Sequence, residues 1–398
     1  MTRLWDQGGS LDARVLAYTA GDDHALDDRL VSYDIRASIA HAEMLAAQQL
    51  LPAPDLPVMV AALTAIGEAH ARGEWRVTLD QEDGQTAIEN LLTERLGATG
   101  GRLHAGRSRN DQVLAALRLY LKDAARELAS LARAVAASLD ALGARDGSIA
   151  LPGYTHLQQA MPSSVALWAG GFAAEIRDDA DGLDAVQRRL DRNPLGSAAG
   201  FGTPNLPIDR EDTRRRLGFA QVHEPVTAVQ LSRGKAEAQL LFELTLLTQD
   251  IGRLAADLLL FYTQEFRFVS LPDGFTTGSS VMPQKRNPDV FELMRGRSAV
   301  ASAALAEVLS ITQKLTSGYH RDLQLIKPPL FRGIDATLAS LQILPAALDG
   351  VRFQPQNIRL DPSIHAAAEA NRLVAEEGLP FREAYRRVGA KYKKPSTT

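Results

Sequence analysis

Between residues 111 and 142 the apolar positions Leu114, Leu117, Leu121, Ala124, Leu128, Leu131, Val135 and Leu142 follow one another in steps of three and four, missing a beat only at Ser138. That spacing lays one apolar stripe along a single long helix. Ser108, Asn110 and Asp111 offer oxygens to the free amides at its start, and Gly143 is placed to end it. A second helical run follows Pro162, capped by Ser163 or Ser164, and continues to about Asp191. The runs 226–271 and 289–327 contain no proline and are rich in Ala, Leu, Glu, Gln and Arg, which suits helix. No two-residue alternation persists, so little sheet is expected. The prediction is an all-α chain with three parts: a smaller helical domain over 1–105, a central long-helix bundle over 106–350, and a short helical segment over 351–398 that ends in a fraying KYKKPSTT tail.

Composition narrows the function. The 44 basic and 48 acidic side chains leave a net charge of −4, which argues against binding nucleic acid or a membrane surface in bulk, although a local basic pocket is compatible with it. There are no cysteines, which rules out disulfides, thiolate metal sites and cysteine nucleophiles. The start, MTRLWDQGGSLDARV, has no apolar run behind Arg3, and no stretch approaches the roughly 18 apolar residues of a membrane span. A cytoplasmic protein is expected.

The unusual polar clusters fall where helices begin or end. HAGRSRND (104–111) precedes the first long helix, GYTHLQ (153–158) lies between it and the second, and TTGSSVMPQKRNPDVFELMRG (276–296) leads into a later one. The last is too broken by Gly278, Pro283 and Pro288 for helix and too polar for core. Any one cluster reads equally well as capping. Three together point to hydroxyls, amides and cations gathered for a charged ligand. A helix over 111–142 is about 48 Å long, so HAGRSRND and GYTHLQ at its two ends cannot meet one small ligand within a chain. A site using both must draw on different subunits, which predicts a symmetric homo-oligomer.

In this order and setting, the three clusters resemble the fumarase/aspartase superfamily. GSSVMPQKRNP is similar to the signature loop of the whole superfamily. HAGRSRNDQV and LPGYTHLQQAMP look most like argininosuccinate lyases, and YDIRASIAHAEML, TAIENLLTERLG, NPLGSAAG with PIDR, and GLPFREAYRRVG extend the resemblance over nearly the whole chain. It implies a three-domain helical fold assembled as a homotetramer with sites shared between subunits. The implied reaction is reversible elimination of argininosuccinate to arginine and fumarate, with no metal or organic cofactor.

Such an elimination needs a base beside a carboxylate, charge stabilisation for the dianionic intermediate, and an acid for the departing nitrogen. The resemblance makes Ser279 the base, activated by Lys285 and by loop closure, with Ser280 as a neighbour that bonds within the loop. Lys285 also holds the developing charge, and Asn287 donates to a carboxylate. His156 is the acid or proton relay, paired with Glu292, a residue that otherwise reads as a first-turn helix carboxylate. Arg109, Asn110 and Thr155 match positions that bind substrate carboxylates. Tyr319, Gln324 and Lys327 correspond to contacts with the amino-acid end of the arginine moiety.

Several places depart from the family pattern. Ser10 stands in for a substrate-binding serine in a segment that lacks the usual arginine. Ser232-Arg233-Gly234 replaces an aspartate–arginine–aspartate run, Leu325 and Ile326 replace an acidic pair, Gln85 stands where a histidine is common, and the chain ends earlier than most members. These changes bear on substrate more than on mechanism. They leave open a related succinyl substrate such as adenylosuccinate, aspartate or a modified argininosuccinate. A crystallin-like structural recruit is the alternative of another class. The retained Ser279, Lys285, Asn287, His156 and Glu292 speak for an enzyme, and a phosphate-binding protein lacks its Gly-rich Lys-Ser/Thr motif.

Overall fold

The computed structural model describes residues 12–392, so Ser10 lies outside the described residues. Its main helices are α1 (Ala13–Ala20), α2 (Val31–Ala47), α3 (Asp55–Ala71), α4 (Gly84–Leu96), α5 (Arg109–Asp146), α6 (Val165–Leu190), α7 (Lys235–Tyr262), α8 (Asp289–Thr312), α9 (Lys327–Gly350), α10 (Ala366–Glu377) and α11 (Phe381–Lys391), with a further short helix over Arg210–Leu217 and briefer helical turns between them. The helical reading of the sequence holds. The chain divides into two compact units whose boundary passes through the middle of α5, α6, α7, α8 and α9. One unit runs to Ala129 and adds Asp181–Thr245 and Val300–Ala336, and the other takes Ser130–Ala180, Leu246–Ala299 and the chain from Thr337.

The predicted stripe of α5 is buried at Leu114, Leu117, Leu121, Ala124, Leu128, Val135 and Leu142, while Leu131 is half-buried and Ala132 takes the core position beside it. Ala115, Ala125, Ala129 and Ala136 are buried too, because a central helix is packed on more than one side. Gly143 does not end the helix, which continues to Asp146. A glycine in a helix interior costs only about 1 kcal/mol, and this one lies against Ala166 and Ala169 of α6. At the start, Ser108 Oγ accepts from Asn110 N at 3.3 Å and Asp111 Oδ1 accepts from Ser108 N at 2.9 Å, a reciprocal cap.

The proline-free runs prove less continuous than expected. The first breaks at Ser232–Gly234 and α7 ends at Tyr262, while α8 stops at Thr312 rather than reaching 327. Absence of proline permits a helix, but tertiary packing decides where it stops. The sheet content is small, with one clear exception. Strands β1 (Ala150–Thr155) and β2 (Gln158–Ser164) form an antiparallel hairpin with a bulge opposite Gly153/Tyr154, and Ser164 caps α6 by accepting from Leu167 N at 3.2 Å.

In the first unit, Val31, Ile35, Leu45, Met59, Leu63, Ile66 and Leu92 close a core between α2, α3 and α4. The opposite face of α2 joins Ala115 and Leu119 of α5 with Leu195, Leu217 and Phe219. In the second unit, Trp168 of α6 is ringed by Phe172, Phe261 and Phe353 at 5.7 Å centroid separations. Ala370, Leu373, Ala384 and Val388 pair α10 with α11.

Candidate active site

The predicted residues fall into two groups, one in each unit. In the first unit, Arg109, Asn110, Tyr319, Gln324 and Lys327 all line one cavity of about 110 Å³. The loop before Arg109 is held from below by a buried polar network. Asp34 accepts from Gln85 Nε2 at 2.7 Å and from Ser38 Oγ at 3.2 Å, and Arg107 Nη1 donates to Ser38 Oγ at 2.9 Å. Gln85 therefore serves as an amide donor to a buried carboxylate, and it also borders the cavity. Gly106 has φ +72, and a Cβ there would sit 2.4 Å from Ile208 Cδ1, so the loop requires glycine on both counts. Asp111 Oδ2 accepts from Gly196 N at 2.9 Å and Ala198 N at 2.8 Å, which ties the NPLGSAAG turn to the first turn of α5. Burial pushes the Asp111 carboxyl up to about 6, against the pull of the amides of Ser108, Ala198 and Gly196.

The cations of this cavity are differently committed. Arg109 Nη1 donates to Asp83 Oδ2 at 2.7 Å and Glu82 Oε2 at 3.3 Å. Lys327 is 2% exposed, and its ammonium lies 2.5 Å from both Asp23 Oδ1 and Asp27 Oδ1. Burial opposes its charge, but the two carboxylates outweigh burial and its pKa is raised. One ammonium cannot fully compensate two carboxylates. Burial therefore carries the Asp23 carboxyl up to about 7, Asp27 adds to the rise, and Lys327 opposes it. Gln324 Nε2 donates to the carbonyls of Thr19 and Ala20, both at 3.0 Å. In the departure after Gln324, Leu325 is exposed and Ile326 is buried. Asp23, Asp83 and Arg321 also border the cavity, and the sequence reading did not pick them out. The acidic pairs in DDHALDD were the available signal, but pairs of this kind are common on solvated surfaces.

In the second unit, His156 and Leu157 are the two central residues of the β1–β2 hairpin, with φ +54 and +58. Two consecutive left-handed residues suit the twist of a tight hairpin but normally call for Asn-Gly. Holding His and Leu there stores backbone strain of the kind found at functional sites. Thr155, His156 and Leu157 are all exposed at the tip. Gln159 braces the hairpin, donating to Arg359 O at 2.9 Å and accepting from Asp361 N at 2.8 Å.

The loop that opens on Thr277 is pinched at its base, where Thr277 and Asn287 exchange backbone hydrogen bonds of 3.0 and 2.8 Å. Thr277 Oγ1 also bonds the Asp289 carboxylate at the start of α8. Ser279 Oγ accepts from Met282 N at 3.1 Å and Val281 N at 3.3 Å. Donors aimed at a hydroxyl oxygen favour its deprotonated form. Lys285, Asn287 and Glu292 border one open cleft of about 820 Å³ with Leu157, Asp257, Tyr262 and Arg295. Ser279 and His156 are each close in sequence to a residue of this cleft, Lys285 and Leu157 respectively, but do not themselves border it. Asp257 is oriented by Trp168 Nε1, which donates to its Oδ2 at 2.9 Å.

A family described as lyase matches residues 12–302, well over half of the chain. An argininosuccinate lyase of Sorangium cellulosum is 49% identical over 390 residues, covering 98% of this chain and 90% of that protein. One of Xylella fastidiosa is 43% identical over 385 residues, covering 96% and 86%. Among solved structures, an EDDS lyase in complex with formate superposes with a TM-score of 0.80 at 22% identity, covering 96% of this chain and 76% of that one, a likeness of fold.

Proposed function

We infer the reaction from one premise: the chain belongs to the argininosuccinate lyase family, within the fumarase/aspartase superfamily. It is a carbon–nitrogen lyase, and the reaction is elimination of argininosuccinate to arginine and fumarate in arginine biosynthesis. The observation that best supports this substrate is the gathering of Arg109, Asn110, Tyr319, Gln324 and Lys327 from distant parts of the chain around one cavity.

In the proposed division of labour, Ser279 removes the proton. Its oxygen already accepts two backbone amides, which stabilise negative charge on it. Lys285 neutralises the dianionic intermediate and Asn287 donates to its carboxylate. His156, backed by Glu292, delivers the proton to the departing guanidino nitrogen. Arg109, Asn110, Thr155 and Ser10 bind substrate carboxylates, and Tyr319, Gln324 and Lys327 hold the amino-acid end. The protein needs no metal or organic cofactor in this reading.

A homotetramer with shared sites goes with it. The helix that starts with Arg109 is 38 residues and therefore about 57 Å long, so residues before its first turn and after its last need neighbouring subunits to meet at one ligand. The linear division into 1–105, 106–350 and 351–398 and a cytoplasmic location complete the proposal. No helix among the described residues is long and apolar enough to cross a membrane.

Ser279→Ala tests the assignment of the base. Turnover should fall by at least about 10³-fold with the circular dichroism spectrum and oligomer size unchanged. Activity within a few-fold of the parent would remove Ser279 from the role.

A further inference from the structure

The segment Ser232-Arg233-Gly234 lies between two helices, Ala228–Leu231 and α7, and its geometry has a specific consequence. Ser232 is fixed on one side, with its hydroxyl accepting from Arg118 Nη2 and donating to Val229 O, both at 2.7 Å. On the other side Gly234 takes φ +85, and a Cβ there would lie 2.6 Å from Thr312 Cγ2, so only glycine makes this turn without displacement. Arg233, held between the two, borders the same cavity as Arg109, Tyr319, Gln324 and Lys327.

Arg233 is 5% exposed, yet its Nε and Nη1 are buried with no hydrogen-bond partner among the described residues. The other cations at this cavity are already bonded: Arg109 to Asp83 and Glu82, Lys327 to Asp23 and Asp27, and Arg321 to Thr19 O. A guanidinium with two buried nitrogens that make no hydrogen bond is unfavourable unless a ligand supplies acceptors. Arg118, an arginine with a structural role, differs in that both of its Nη atoms are bonded, Nη1 to Arg192 O and His223 and Nη2 to Ser232, although its Nε, like that of Arg233, has no partner among the described residues.

We propose that Arg233 binds the α-carboxylate of the amino-acid end of the substrate, and of the arginine released from it. The planar fork of a guanidinium suits a carboxylate held by two parallel hydrogen bonds. Lys327 cannot serve as that counter-ion by itself, because its charge is already matched within the protein. The inference rests on the lyase reading for the identity of the ligand, and its test separates the two.

The test compares binding of L-arginine and of agmatine, which lacks the α-carboxylate, to the full chain by titration calorimetry. Fumarate release from argininosuccinate is measured alongside. Arginine should bind the parent about 10- to 100-fold more tightly than agmatine, the range expected of a charge-assisted contact. Arg233→Gln should close that gap by weakening arginine and leaving agmatine unchanged. Arg233→Lys, which keeps the charge without the fork, should retain a reduced gap and serves if the Gln variant does not fold. A gap that survives in both variants overturns the role of Arg233 even if fumarate is released. A gap that closes in a protein releasing no fumarate sustains Arg233 and overturns the reaction. Failure of the parent to prefer arginine over agmatine overturns the inference outright.

Discussion

Replacing Lys327 with Met removes the one ammonium shared by two carboxylates. Asp27 is fully buried, with its second oxygen committed to Gly84 N at 3.1 Å, and the Asp23 side chain is only 12% exposed. Removing one partner of a buried ion pair costs about 3–5 kcal/mol, because the remaining charge is stranded. Part of that loss depends on pH. The Asp23 carboxyl titrates near 7 in the folded protein against 3.8 in the unfolded chain. Below 3.8 both states are protonated; between the two values the folded state keeps a proton that the unfolded state has released. Stability from this group is therefore full at low pH and declines as pH rises toward 7, by a total on the order of 4 kcal/mol. Without Lys327 the carboxyl rises further, so the penalty of the variant should be largest near pH 8 and smaller near pH 5. Urea unfolding followed by circular dichroism, at one protein concentration and at both pH values, reads this directly. Adding Asp27→Asn should restore part of the loss, since only the Asp23 carboxyl is then left without the ammonium. A penalty under about 1 kcal/mol at pH 8, or one equal at both pH values, would refute this electrostatic reasoning.

Two further outcomes follow from the same geometry. Asp111→Ala leaves the amides of Gly196 and Ala198 without their acceptor, so it should cost about 2–4 kcal/mol and speed hydrogen exchange at those two amides; unchanged exchange would separate the turn from the start of α5. Gly234→Ala sets a side chain in left-handed backbone against Thr312, and should lower stability by about 1–3 kcal/mol and weaken arginine binding with it. Adding Thr312→Ala should recover the steric part only, which a melting curve of the double variant would reveal.

Long helices were legible because burial of one face repeats every three to four residues, and most of the predicted stripe along α5 is indeed core. Their ends were less legible. Gly143 sits inside α5 and Thr312 ends α8, because neighbouring packing and not local composition decides those points. The β1–β2 hairpin escaped notice for a different reason. Its strands contain Pro152, Gly153 and Pro162, residues that locally oppose a strand, and its turn is His-Leu where Asn-Gly would have announced it. At the site, the clusters around Arg109, His156 and Ser279 stood out as polar runs at helix ends. Asp23, Asp83 and the orientation of Arg233 did not, since each becomes informative only when folding brings it beside residues far along the chain.

The most direct measurement is fumarate release, followed by ultraviolet absorbance, from purified protein given argininosuccinate and, in separate reactions, adenylosuccinate and aspartate. The family assignment together with the cavity around Arg109, Tyr319 and Lys327 predicts rapid release from argininosuccinate alone, with arginine formed in equal amount. Release from either other compound would keep the loop chemistry and contradict the substrate. No release from any of the three by a folded protein would contradict the lyase reading itself.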